Sequence, residues 1–191
     1  PRVDIDELKK YSDGIIALSA CLAGDISQAL MDRNYEKAKN IALQYRDIFG
    51  EGNFYLEIQD HGLPEQKEVN AALVKLSKEI NIPLVATNDI HYVNKEDSKI
   101  HDVLMCIQMG KTVNDPNRMR FGSDEFYLKS REEMEELFPY APEAIDNTVK
   151  IAEMCNIEFD FNTIHLPKYD VPEGYTPDTY LRELCFKGLE E

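Results

Sequence analysis

The sequence predicts an α/β protein built on a parallel sheet, either an open doubly wound sheet or a piece of a barrel. Short apolar runs of strand length alternate with longer stretches of helical periodicity, three times over. No Gly-rich phosphate loop helps to choose between the two arrangements, since neither GxGxxG nor GxxxxGK[ST] occurs.

The elements follow in order. "GIIALSA" (14–20) reads as a buried strand. A helix is expected from about Asn34 to Phe49, with Tyr35, Ala38, Ile41, Ala42, Tyr45 and Ile48 on one face and Gly50 and Gly52 to end it. "FYLEI" (54–58) is the second strand. Pro64 opens a helix that carries Val69, Ala72, Leu73, Leu76 and Ile80 at helical spacing. "PLVAT" (83–87) is the third strand. Asn94 caps a helix expected to run to about Met109, with Ile100, Val103, Leu104 and Ile107 inward. Beyond residue 110 the alternation stops. "EFYLKS" (125–130) reads as one more short strand, and Ser130 with Glu133 makes a capping box for "REEMEELF". "PEAIDNTVKIAEMCN" (142–156) is an amphipathic helix. "NTIHLPKYDVPEGYTP" is punctuated by Pro and Gly as a linker is, and "TYLRELCFKGLEE" begins a further helix. The expected division is 1–162 for the α/β domain and 163–191 for the linker and helix.

With 191 residues, 43% of them apolar, the chain has enough material for one real core. No apolar run is long enough for a bilayer, and the opening "PRVDIDELKKYSDG" lacks the apolar centre of a signal peptide. A soluble, cytoplasmic protein without a membrane partner is expected. Cys21, Cys106, Cys155 and Cys185 form no CxxC pair, so buried free thiols are expected, with Cys106 and Cys155 in the core. A net charge of −15 argues against this chain gripping a phosphate backbone by itself. Its one basic cluster, Lys111, Arg118 and Arg120, reads as a solvated loop.

Parallel α/β proteins gather their chemistry at the carboxyl ends of strands. That rule picks out Cys21, the stretch Glu57 to His61, and the pair Asp89 and His91 in "VATNDIHYV". Cys, Asp and His at neighbouring strand ends make a half-shell for zinc or manganese. The plainer readings are a buried thiol, a turn cap and a hydrogen-bonded loop residue. Glu57 and His61 are candidates for positions near such a site, or for local hydrogen bonds. His101 reads as structural or as a support to a metal ligand, and His165 has no evident partner.

"GIIALSACLAGDI", "FYLEIQDHGLPEQ", "LVATNDIHYVNKEDSKIHDVLMCIQMGK", "RMRFGSDEFYLKSREEM" and "PEAIDNTVKIAEMCNI" together resemble the polymerase and histidinol phosphatase (PHP) domain. More narrowly, they resemble its branch in the alpha subunits of bacterial DNA polymerase III. The resemblance implies part of a distorted seven-stranded (βα) barrel, with a C-terminal helical extension leading toward a polymerase palm. It implies Cys21, Asp89 and His91 as ligands of a Zn²⁺ or Mn²⁺ cluster, with Glu57 and His61 nearby. The family's opening His-x-His strand has no counterpart in this sequence. The shell is therefore expected to be partial, the N-terminal strands missing, and the chain inactive by itself.

The function so implied is that of a segment of a replicative polymerase catalytic subunit. DNA synthesis would use Mg²⁺ ions in a palm outside this chain. The implied partners are the rest of the alpha subunit, a proofreading 3′–5′ exonuclease, and DNA through other domains. A stand-alone phosphoesterase of the same fold and a purely structural interaction module are the alternatives. Sheet edges and apolar faces left uncovered in a partial barrel are expected to favour dimers.

Overall fold

The computed structural model describes residues 2–164 and 166–190. His165 and Glu191, the final residue of the expected last helix, lie outside the described residues. The chain divides into two compact units, Pro1–Cys155 and Asn156–Glu191.

The first unit is built on three parallel strands, β1 (Ala17–Leu18), β2 (Phe54–Ile58) and β3 (Leu84–Ala86), in the order β1-β2-β3. Ala17 pairs with Phe54, and Leu56, Glu57 and Ile58 pair with Leu84, Val85 and Ala86. The helices are α1 (Ile5–Lys10), α2 (Asp25–Met31), α3 (Tyr35–Phe49), α4 (Pro64–Ile80), α5 (Ser98–Gln108), α6 (Arg131–Leu137) and α7 (Pro142–Met154). A 3₁₀ turn, Lys95–Asp97, leads into α5.

Strand residues alternate in direction. Phe54, Leu56, Ile58, Leu84 and Ala86 join the main core with Ala38 and Ala42 of α3, Val69, Leu73 and Leu76 of α4, and Ala144 and Ile145 of α7. The two alanines, one helical turn apart and fully buried, let α3 approach the sheet closely. Each large side chain buried there contributes about 1.5–3 kcal/mol. Tyr55, Glu57 and Val85 are therefore directed to the opposite face of the sheet. Asn147 of α7 fastens β3 by donating from Nδ2 to the Leu84 carbonyl at 2.7 Å.

The long helices match their sequence signals. Asn34 caps α3 by accepting the Lys37 amide, Gly50 ends it at φ 86°, and Ser130 with Glu133 closes a reciprocal capping box on α6. Five expectations are corrected. The first strand is only two residues long, because the backbone turns left-handed at Gly14 and again at Ala20. "EFYLKS" forms a single bridge, Tyr127 to Tyr92: only the Phe126 carbonyl and the Leu128 amide meet residues 91–93, while the Glu125 and Tyr127 carbonyls accept from the Asn88 side chain. In α5, Ile100, Val103, Leu104 and Ile107 are exposed, and Met105 and Cys106 face inward instead. The loop after α5 folds back on the Asp102 and Met105 side, where Arg118 gives Asp102 two guanidinium bonds. Arg118 is accordingly no solvated loop residue; its side chain is 3% exposed. Finally, Cys155 is exposed, because α7 ends just before it, whereas Cys106 is buried as expected.

The second unit holds α8 (Pro177–Glu190), started by Thr176, whose hydroxyl accepts the Thr179 amide at 3.3 Å. Tyr180 packs edge-on against Tyr175, their ring centres 5.3 Å apart. Among the described residues, no helix is long and apolar enough to cross a membrane.

Candidate functional site at the strand ends

The ends of β1 and β2 are tied together by polar side chains. Beyond β1, the Ser19 hydroxyl oxygen accepts the Glu57 amide at 2.8 Å. Ala20 then turns left-handed, φ 64°, and donates its own amide to Glu57 Oε2 at 3.0 Å. The other carboxylate oxygen, Oε1, accepts Gln59 Nε2 at 2.9 Å and the hydroxyl of Thr87 from beyond β3. One carboxylate thus joins residues from all three strand ends.

Cys21 follows this turn. With Glu57 and Gln59 it lines a small cavity of about 10 Å³, also bordered by Gln66 and Asn70. That is room for about one water-sized sphere. The Gln59 side-chain oxygen is buried without a hydrogen-bond partner. The turn leaves no space for a side chain at Gly24, where a Cβ would lie 2.4 Å from the Ser19 carbonyl oxygen.

His61 is 1% exposed and fully engaged. Nε2 lies 2.9 Å from the Asn88 carbonyl, which can only accept, so the proton resides there. Nδ1 accepts from Gln66 Nε2 at 2.7 Å, while Gln66 Oε1 takes the His61 amide. The ring stacks on Phe126 with centres 3.9 Å apart. Burial pushes its pKa below the ordinary 6.5, and the ring is neutral. With both nitrogens occupied, His61 braces the site and has no lone pair to offer a metal.

Beyond β3, Asp89 adopts φ 42°. His91 Nδ1 lies 2.7 Å from the Asp89 carbonyl, which makes Nδ1 the protonated nitrogen and leaves the Nε2 lone pair available. This is the tautomer that metal-binding histidines adopt. The Asp89 carboxylate lies 3.9 Å from Nδ1, on the engaged side of the ring. His91 is also flanked by Phe121 at 4.7 Å and His101 at 5.4 Å between ring centres.

The structure therefore brings Cys21 and Glu57 to one cavity wall, and Asp89 and His91 to one another. Among the described residues, no three of His, Cys, Asp or Glu converge on a point that could hold a metal ion. These residues do not fit a closed metal site by themselves. Thr87 was not singled out by the sequence, and Gln59 only as part of the stretch Glu57 to His61. Their signal is the polar residue set directly after each apolar run.

Residues 1–61 match the PHP domain family, a stretch that includes Cys21, Glu57 and His61 and ends before Asp89 and His91. The chain is 44% identical to the DNA polymerase III subunit alpha of Treponema pallidum, over 99% of this chain and 16% of that protein. It is 46% identical to the subunit of Borreliella burgdorferi, over 100% of this chain and 17% of that protein. The subunit of Thermus aquaticus is 44% identical, over 99% of this chain and 16% of its own length. The chain thus spans about one sixth of the length of these relatives. It is a relative of the bacterial DNA polymerase III alpha subunits along one segment of their length, and it carries PHP-domain sequence in residues 1–61.

Proposed function

We propose that this chain serves within a bacterial replicative DNA polymerase, as a PHP-domain segment of the catalytic alpha subunit. The observation that carries this reading is end-to-end similarity, above 40% identity, to one continuous segment of those subunits. In this reading the three parallel strands are part of a distorted seven-stranded barrel. Residues 1–162 belong to that domain, and 163–191 lead toward the palm. Tyr55, Glu57 and Val85, directed away from the helix-packed face, would then line the barrel interior.

Template-directed nucleotide addition, with its Mg²⁺ ions, would take place outside the chain. The segment contributes a scaffold and part of a metal shell. Cys21, Asp89 and His91 would supply ligands for Zn²⁺ or Mn²⁺ once further ligands from outside the chain complete it. Glu57 and His61 hold the strand ends in register. The partners are the rest of the subunit, a proofreading exonuclease and DNA bound by other domains, all in the cytoplasm.

Primer extension tests this reading. A polypeptide of the relatives' length that contains this segment is expected to extend a primed template with Mg²⁺, and the 191-residue chain is not. Cys21→Ala, Asp89→Ala and His91→Ala together should leave extension within about threefold while lowering bound metal. A 191-residue chain that hydrolysed a small phosphomonoester catalytically would overturn the reading in favour of a stand-alone phosphoesterase.

A further inference from the structure

The two sides of α5 are covered very differently. On one side Met105 and Cys106 are buried, and Asp102 is held by Arg118 from the loop that follows. On the other, Ile100, Val103, Leu104 and Ile107 stand 61%, 45%, 57% and 71% exposed. Turning about 100° per residue, these four fall in one stripe about 100° wide. Isolated exposed apolar residues are ordinary, but a continuous aliphatic stripe along a helix of 11 residues marks a contact face.

The stripe is a palindrome. Read from either end its spacing is three, one, three, so the pattern is unchanged by a two-fold axis set between Val103 and Leu104. Charges at its ends extend the symmetry with opposite sign. Glu96 precedes Ile100 by four residues, and Lys111 follows Ile107 by four. Both are fixed to the helix ends. Asn94 and Asp97 close a capping box around Glu96, and the Lys111 amide bonds back to the Cys106 carbonyl at 2.8 Å across Gly110, which stands at φ 62°. The ion pairs of this region join Lys95 to Asp124 and Glu125, and among the described residues they leave Glu96 and Lys111 unpaired.

An antiparallel second copy of the helix satisfies each part of this pattern. Ile100 meets Ile107 of the other copy, Val103 and Leu104 meet their own counterparts across the axis, and Glu96 comes beside Lys111 at both ends. A parallel pair would set Glu96 on Glu96 and Lys111 on Lys111. We propose that the exposed stripe of α5 is a self-complementary surface through which two copies of this chain pair, their α5 helices antiparallel about that axis. The contact is short, so the pair is weak, with a Kd of about 10–100 µM. It needs neither a bound metal nor polymerase activity, and it stands or falls separately from the role proposed above.

Sedimentation equilibrium of the 191-residue chain, from about 5 to about 500 µM, tests it. In about 0.15 M salt, repulsion between two copies of net charge −15 is screened beyond about 8 Å. The average mass is expected to rise from that of one chain toward that of two and to stop there, since a two-fold pair closes on itself. Leu104→Glu with Ile107→Glu is expected to weaken pairing at least about tenfold, with an unchanged circular dichroism spectrum because both positions are exposed. Leu181→Glu with Leu189→Glu makes the same change at exposed positions of α8 and is expected to leave pairing intact. Glu96→Lys and Lys111→Glu are each expected to weaken it about threefold, and the two together to restore it to within about twofold. A chain that stays single throughout, or a mass that climbs past two chains, would overturn the proposal. So would pairing untouched by Leu104→Glu with Ile107→Glu, pairing lost on changing α8, or a double charge reversal no better than the single ones. If the chain stays single, α5 amides protected from exchange only in a polypeptide of the relatives' length would assign the stripe to the rest of that polypeptide.

Discussion

Glu57 holds the amide of Ala20 at 3.0 Å, and Ala20 is one of four residues other than glycine that stand at positive φ among the described residues. The left-handed conformation costs a residue with a Cβ about 1–2 kcal/mol. The carboxylate that bridges the three strand ends compensates for it. Glu57→Ala is therefore expected to destabilise the chain by about 1–3 kcal/mol, since the Ala20 amide and the Thr87 hydroxyl lose their acceptor. Urea denaturation measures that loss, and faster alkylation of Cys21 in the variant should report the loosened turn. Ala20→Gly should act in the opposite direction and raise stability by about 0.5–1 kcal/mol.

Gly24 is required for a different reason. Its φ is ordinary, but a Cβ would meet the Ser19 carbonyl oxygen at 2.4 Å and the Cys21 carbonyl oxygen at 3.2 Å. Both neighbours are backbone and cannot swing aside. Gly24→Ala is expected to cost about 1–3 kcal/mol. An unchanged midpoint in the same urea experiment would show that the turn yields more easily than this packing implies.

His61 makes stability depend on pH. Burial disfavours the imidazolium, so the folded pKa lies below the ordinary 6.5 that the unfolded chain retains. The unfolded state then binds more protons as the pH falls, and stability falls with it. The contribution of the neutral ring is fully present above about pH 6.5 and is lost as the pH drops through the lower folded value. Each pH unit in that window costs at most about 1.4 kcal/mol. His61→Gln removes the titration. It should be less stable at pH 7, where Gln66 and the Asn88 carbonyl lose their fitted partner, yet should show a shallower decline between pH 6.5 and 5. Equal slopes for the two proteins would contradict the assignment.

The parts of the fold legible in the sequence are those fixed by neighbours along the chain. Asn34, Gly50, Pro64 and Pro142 mark helix ends through their own backbone chemistry, and α3, α4 and α7 begin where they direct. The parts that were not legible depend on distant partners. On α5 the inward side is the one the following loop covers, where Arg118 meets Asp102 from sixteen residues away, and apolar periodicity has no access to that contact. "EFYLKS" has strand composition, but Asn88 claims two of its carbonyls. The seven-residue α2 went unread because Gly24 gives it no side-chain cap. At the strand ends, position after an apolar run singled out Cys21, Glu57, His61, Asp89 and His91. It could not tell that both His61 nitrogens are committed, whereas His91 keeps Nε2 available.

The most direct test of the partial-shell reading is the zinc and manganese content of two purified proteins. One is the 191-residue chain, and the other is a polypeptide of its relatives' length that contains it. The expected result is stoichiometric metal only in the longer protein, lost when Asp89→Ala and His91→Ala are introduced there. A longer protein free of metal, or a 191-residue chain that holds a full complement alone, would contradict it.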